Sequence, residues 1–308
     1  MLVSVDSKRY QALFNNSPHP YLRNDFILLN KHKVDEVHWL VEDEQNASIG
    51  IIVGIKDDKM LSPFSAPFGG FHFRKDNQYI SEIESFVQKL IRFAIKNSYN
   101  SLAITLPPDL YHLSFNSKCV NTLHRSGFCL HTIDLTNWVD LNAFEGTFKN
   151  RGARKYYNQA LKNNLVFNVL TERRHQYEAF SIIKENRMRF DRPLYMTFED
   201  LDNVNKLWSV DFFGVYEDDV MVASGVFYRG HDSIVQGVFW GDTELGRPMR
   251  AIDFLAFNIW NLYKNNNYSA IDLGISTESG IPNEGLLRFK ESHDCITSPK
   301  YTFVWRKN

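Results

Sequence analysis

Residues 248–290, PMRAIDFLAFNIWNLYKNNNYSAIDLGISTESGIPNEGLLRFK, decide how the chain is read. Ile252, Leu255, Ala256, Ile259, Trp260 and Tyr263 recur at helical spacing, and Phe254 and Phe257 fill the other side. The pattern predicts a helix buried on most faces. Lys264 and the run Asn265-Asn266-Asn267 end it, because Asn suits the left-handed turn at a helix C-terminus. Residues 269–273 then read as a short buried strand, and Gly274 lets the chain turn sharply off its end. A loop is expected to close the stretch on Leu287-Arg288-Phe289-Lys290.

The chain says this twice. FVQKLIRFAIKNSYNSLAITL (residues 86–106) matches FLAFNIWNLYKNNNYSAIDL (residues 254–273), with Lys96-Asn97 on Lys264-Asn265 and Ser101 on Ser269. A strand pair precedes each helix, at residues 49–61 and 221–240. Two copies are too few for a solenoid and predict two domains of one kind, residues 1–140 and 141–308. Antiparallel strands followed by a helix and one more strand make each an α+β domain: a mixed, mostly antiparallel sheet flanked by helices.

Composition narrows the partners. Net charge is -1 over 308 residues, which gives no bulk attraction to nucleic acid or an anionic membrane, so DNA is not an expected partner. Cys119, Cys129 and Cys295 are scattered, which argues against disulfides and zinc and suits a reducing compartment. Neither a signal peptide nor an apolar window of membrane-span length is visible, so a cytoplasmic protein is expected.

Three segments stand out. SPFSAPFGGF (residues 62–71) carries two prolines that bar a central strand and two glycines that permit unusual angles; it is either a close-approach surface for a ligand or a tight connection. Residues 149–162 hold Lys149, Arg151, Arg154, Lys155 and Lys162 with no acidic residue, a helix face open to a phosphate or simply to solvent; Tyr157 lies on its opposite, apolar stripe. GDTELGRPMR (residues 241–250) leads into the buried helix. A helix N-terminus there, with Gly246 for close approach and Arg247 and Arg250 for charge, suits a pyrophosphate or is an ordinary basic turn. Walker, dinucleotide, zinc-protease and nucleophile-elbow motifs are all missing from the sequence.

Strands, a helix entered through a phosphate-suited turn and a further strand resemble the GNAT-like acyl-CoA N-acyltransferase fold. The duplication resembles its tandem Fem-type subset. The motifs that carry the likeness, across most of the chain, are SPFSAPFGGF, KNRGARKYYNQALKNN (residues 149–164), AIDLG (residues 270–274) and GLLRFKESHD (residues 285–294). The resemblance implies an N-acyltransferase that moves an acyl group from acyl-CoA to a small-molecule or peptide amine, without a metal. An alternative it allows is aminoacyl-tRNA-dependent transfer to a cell-wall precursor; another is a GNAT-like binding protein without catalysis. GRPMRA (residues 246–251) supplies only part of the Arg/Gln-x-x-Gly-x-Gly/Ala signature, while no room exists for the helical hairpin of tRNA-using members.

The resemblance also implies roles. Lys290 directs its ammonium at a substrate phosphate or a developing oxyanion, with Arg288 and Phe289 beside it. Asp272 receives the proton of the attacking amine, with Glu278 and Glu284 as looser candidates. Arg154 and Tyr157 meet the substrate from the basic helix, and Gly246, Arg247 and Arg250 hold the acyl-CoA.

Overall fold

A computed structural model describes residues 1–307. The chain forms two compact units that interleave along the sequence. The first is Met1–Leu135 with Thr277–Ile281 and the stretch from Ser298 onward; the second is Thr136–Ser276 with Pro282–Thr297.

The first unit runs β1 (Val3–Val5), α1 (Ser7–Leu13), α2 (Asn24–Asn30), β2 (Glu36–Val41), β3 (Ile49–Lys56), β4 (Lys59–Ser62), β5 (Phe71–Phe73), α3 (Ile80–Lys96), β6 (Ser101–Thr105) and α4 (Asp109–Arg125). Strands β1 to β4 pair antiparallel in order, β5 also pairs with β3, and β6 returns parallel to β4. Ile83, Phe86, Val87, Leu90 and Ala94 of α3 are all fully buried, as their helical spacing predicts. Fully burying one large apolar side chain contributes roughly 1.5–3 kcal/mol, so this stripe fixes α3 to the sheet. An extended residue, His112 at φ -165°, divides helix α4.

Strand β7 (Cys129–Asp140) starts in the first unit and ends in the second. The second unit continues with α5 (Arg151–Ala160), β8 (Leu165–Val169), α6 (Arg173–Arg189), α7 (Phe198–Asn205), β9 (Ser209–Glu217), β10 (Val220–Arg229), β11 (Ile234–Asp242), α8 (Ala251–Asn265) and β12 (Ala270–Ile275). After the short strands β13 (Thr277–Glu278) and β14 (Ile281–Pro282) come α9 (Glu284–Ser292) and β15 (Cys295–Arg306), whose last residues pair with β6. Strands β8 to β11 are antiparallel neighbours, β12 lies parallel to β11, and β12 pairs antiparallel with the end of β7. Helix α8 is buried through Phe254, Leu255, Ala256, Ile259, Trp260 and Tyr263. Asn267 takes the left-handed conformation expected of the Asn run, at φ 62°.

The sequence repeat has a counterpart in each sheet. In the first unit β3–β4 is an antiparallel pair, α3 crosses over, and β6 lies parallel to β4. In the second, β10–β11, α8 and β12 repeat the arrangement. Parallel strands need such a crossover, and a helix supplies it. One expectation is corrected: residues 284–292 are helix α9, not a loop, started by Asn283, whose side chain accepts from the Leu286 N–H at 3.2 Å. The 62–71 segment is a tight connection. The Gly69 N–H donates to Thr105 O at 2.9 Å, the Gly70 N–H donates to Ser62 Oγ at 3.1 Å, and a Cβ on Gly69 would lie 2.8 Å from the Pro63 nitrogen.

Candidate active site

Strands β11 and β12 make a fork. They pair only from Ile234↔Ala270 to Gln236↔Asp272, although β11 runs on to Asp242 and β12 to Ile275. Beyond that point the facing edges lose their ladder, and backbone polar groups without a ladder need other partners. Lys290 supplies them for β12. From α9 its Nζ donates to the carbonyls of Leu273 at 2.8 Å, Gly274 at 2.9 Å and Ile275 at 3.1 Å. An ammonium has three donors, so all are committed. Lys290 is 2 % exposed, and burial pushes its ammonium down to about 8, against the opposing pull of Cys295 and Asp272. Its ammonium is therefore turned to the backbone of β12, not to open space. Asp272, 1 % exposed, sits at the crotch of the fork, where it accepts from the Gly274 N–H at 2.8 Å and from Gln236 Nε2 at 3.3 Å.

The turn before α8 also differs from its expected form. Gly246 N–H donates to Thr243 Oγ1, Arg247 N–H to Thr243 O, Arg250 N–H to Arg247 O and Ala251 N–H to Gly246 O. These four amides are bonded to acceptors within the turn and are not free for a phosphate. Gly246 is required for a different reason: a Cβ there would lie 2.2 Å from Val222 O, so the turn packs against β10. The arginine side chains carry the positive charge instead. Arg250, left-handed at φ 61°, stacks its guanidinium over Tyr156 at 3.9 Å. Arg247 pairs with Asp242 at 3.1 Å and lies over Phe190 at 5.0 Å.

Two adjoining cavities of the second unit open beside the fork. One, of about 570 Å³, is lined by Arg187, Phe190, Arg192, Trp240, Asp242 and Leu286 among others. The other, of about 360 Å³, is lined by Tyr156, Arg250, Asp253, Arg288, Ser292 and His293 among others. Asp242, Arg247, Ile252, Gly285 and Phe289 line both, so they form one cleft. The structure thus brings together Arg247, Arg250, Arg288 and Phe289 of the sequence-based candidates. Glu278 and Glu284 are absent from both linings, as are Lys290 and Asp272.

Arg154 and Tyr157 lie elsewhere. Arg154 donates through Nη1 to Phe148 O at 2.8 Å and Lys149 O at 2.6 Å. With Arg151, Lys155 and Lys162 it lines a separate depression of about 410 Å³. Tyr157 stacks on Phe257 at 3.8 Å in the core; its neighbour Tyr156, one helical step round, faces the cleft.

His293 and Asp253 were not singled out by sequence, because forty residues separate them. His293 Nε2 lies 3.0 Å from Asp253 Oδ1, and Nδ1 lies 2.7 Å from Phe289 O and 3.1 Å from Ser292 Oγ. Ser292 Oγ itself donates to Phe289 O at 2.8 Å. The Ser292 proton is thus directed at that carbonyl and not at Nδ1, and the Ser-His-Asp grouping is a buried pin between α8 and α9, not a hydrolytic triad. Among the described residues no three His, Cys, Asp or Glu side chains gather as metal ligands, and no helix is long and apolar enough to cross a membrane.

No family model and no curated protein matches the sequence. Solved structures do match in fold. The crystal structure of FemX superposes with a TM-score of 0.69 at 10% identity, covering 100% of this chain and 98% of that one. The fold is the tandem GNAT-like fold of the Fem type. L-PGS from Bacillus licheniformis shares it at a TM-score of 0.60 and 15% identity, over 99% of this chain and 93% of that one. A tandem GNAT protein from the clavulanic acid biosynthesis pathway follows at 0.54 and 7%, over 99% and 98%. Within this Fem-type fold the end of β11, the α8 turn and α9 line the cleft.

Proposed function

We propose that the second unit transfers an acyl or aminoacyl group to an amine, with the reacting carbonyl seated in the β11–β12 fork. The observation that carries this reading is the separation of two parallel strands after three residue pairs, beside a cleft lined by Arg187, Arg192, Arg247, Arg250 and Arg288. The edge of β11 left without β12 partners supplies N–H donors for a developing oxyanion. Asp242, the carboxylate shared by both cavities, receives the incoming amine. The amine nitrogen bonds to the carbonyl carbon, the bond to the leaving sulfur or ribose oxygen breaks, and the amine's proton ends on that leaving atom. Lys290 and Asp272 act as positioning residues that hold the fork open.

Acyl-CoA is the first donor in this reading, its phosphates held by the side chains of Arg247 and Arg250. Aminoacyl-tRNA is the second. It is favoured by the internal bonding of the Gly246, Arg247, Arg250 and Ala251 amides, which are not free for a pyrophosphate, and by the basic depression on α5. Thermal unfolding with coenzyme A, acetyl-CoA, a long-chain acyl-CoA and aminoacylated tRNA separates them. A ligand of the folded state adds about 2.7 kcal/mol of stability at a hundredfold excess over its dissociation constant. A raised midpoint with acyl-CoA, lost in Arg247→Ala/Arg250→Ala, supports the first donor. A response to aminoacyl-tRNA alone replaces it with the second, and no response to either sinks the transfer reading.

A further inference from the structure

The cleft has a cationic end that the donor does not need. Arg187, on the last turn of α6, and Arg192, just beyond it, line the larger cavity on the side away from Arg250. Among the described residues neither has an ion-pair partner, and Arg187 Nε is buried without any hydrogen-bond partner. The nearest relief for the Arg187 guanidinium is the face of Phe239, 5.9 Å away. Burial, and then the like charge of Arg192, lower the affinity of Arg187 for its proton. A buried guanidinium donor without an acceptor is costly, and an anion removes that cost with a charge-assisted bond. Asp242 forms no ion pair with either arginine; its Oδ1 accepts from Asn186 Nδ2 at 2.8 Å and pairs with Arg247. Phe190, Trp240, Ile252, Leu286 and Phe289 supply the apolar walls of the same cavity.

We infer that the acceptor is an amine that carries its own anionic group, a carboxylate or a phosphate, held by Arg187 and Arg192 while its ammonium faces Asp242. This rests on the transfer reading for the word acceptor, but the site itself is read by binding alone. The apolar walls suit a short hydrocarbon or aromatic body between the two charges. A neutral amine, or a lysine side chain of a protein, leaves the arginine pair unanswered.

Calorimetric titration of the intact protein with two matched pairs tests it: L-phenylalanine against phenethylamine, and phosphoethanolamine against ethanolamine. At least one anion-bearing member should bind about tenfold or more tightly than its anion-free analogue, the range of a hydrogen bond to a charged group. Which pair discriminates tells carboxylate from phosphate. Arg187→Met/Arg192→Gln should abolish the discrimination. Arg192→Gln alone, at an exposed side chain that folding does not need, should reduce it and guards against a misfolded double variant. Equal binding within both pairs, discrimination that survives in the double variant, or no measurable binding of either anion-bearing amine overturns the inference. Because no transfer is measured, discrimination without any donor response would leave this site standing while the transferase reading falls.

Discussion

Lys290 shows how far a single residue can be read. Its chemistry is visible in the sequence as a cation after an apolar helix and strand, yet its role is not, because three carbonyls from fifteen to seventeen residues earlier decide it. Lys290→Met leaves those carbonyls without donors in a buried place and should destabilise the protein by about 2 kcal/mol or more. Denaturant unfolding checks this; a change within experimental scatter would return the ammonium to the substrate. A second expectation follows from its titration, with its folded value near 8 and its ordinary value 10.5. Between those values the unfolded chain holds a proton the folded chain has released, so stability attributable to Lys290 rises with pH across that window and is constant below it. The stability difference between wild type and Lys290→Met should therefore shift toward wild type from pH 8 upward, by at most about 1.4 kcal/mol per pH unit. A difference that stays flat contradicts a buried, depressed ammonium. Arg247, Arg250, Arg288 and Phe289 were legible as neighbours because each flanks or lies on an element whose ends the sequence marks. Arg187 and Arg192 were not, since nothing local tells a solvated arginine from one lining a cavity.

At the scale of elements, periodicity carried most of the reading. The apolar spacing of α3 and α8 and the acidic turn between β9 and β10 each have a local cause. Helix α9 escaped because it is short and holds a glycine, but Asn283 followed by Glu284 was a usable start signal. The turn before α8 was legible as special and misread in detail. Gly246 looks like a residue that lets a ligand approach; it lets β10 approach. Gly246→Ala places a methyl against Val222 O and should cost about 2 kcal/mol or more, through a forced backbone shift. A urea midpoint unchanged in Gly246→Ala would mean the turn is loose enough to be reshaped by a bound phosphate.

For the molecule as a whole, the repeat recurs as two like strand-helix-strand arrangements, and they differ where the pairing of their parallel strands stops. In the first unit β4 pairs with β6 along its entire length, Lys59↔Ser101 to Ser62↔Ile104, and the chain then leaves through Pro63. The 62–71 connection folds back onto the end of β6 through Gly69 and Thr105. The second unit keeps β11 running for six residues past its last β12 pair, and that overhang makes the fork. Sequence comparison of the copies could find the shared helix and strand, because those bury apolar side chains at fixed spacing. It could not find the fork, which depends on where pairing stops. One donor should therefore bind per chain. Calorimetry with whichever donor raises the unfolding midpoint should give a stoichiometry near one, and Arg247→Ala/Arg250→Ala should remove it entirely. A stoichiometry of two, or a full site that survives in that variant, would place a working site in the first unit. The closed 62–71 connection would then have to open on binding, and Gly69→Ala, whose Cβ meets the Pro63 nitrogen at 2.8 Å, would be expected to change donor affinity as well as stability.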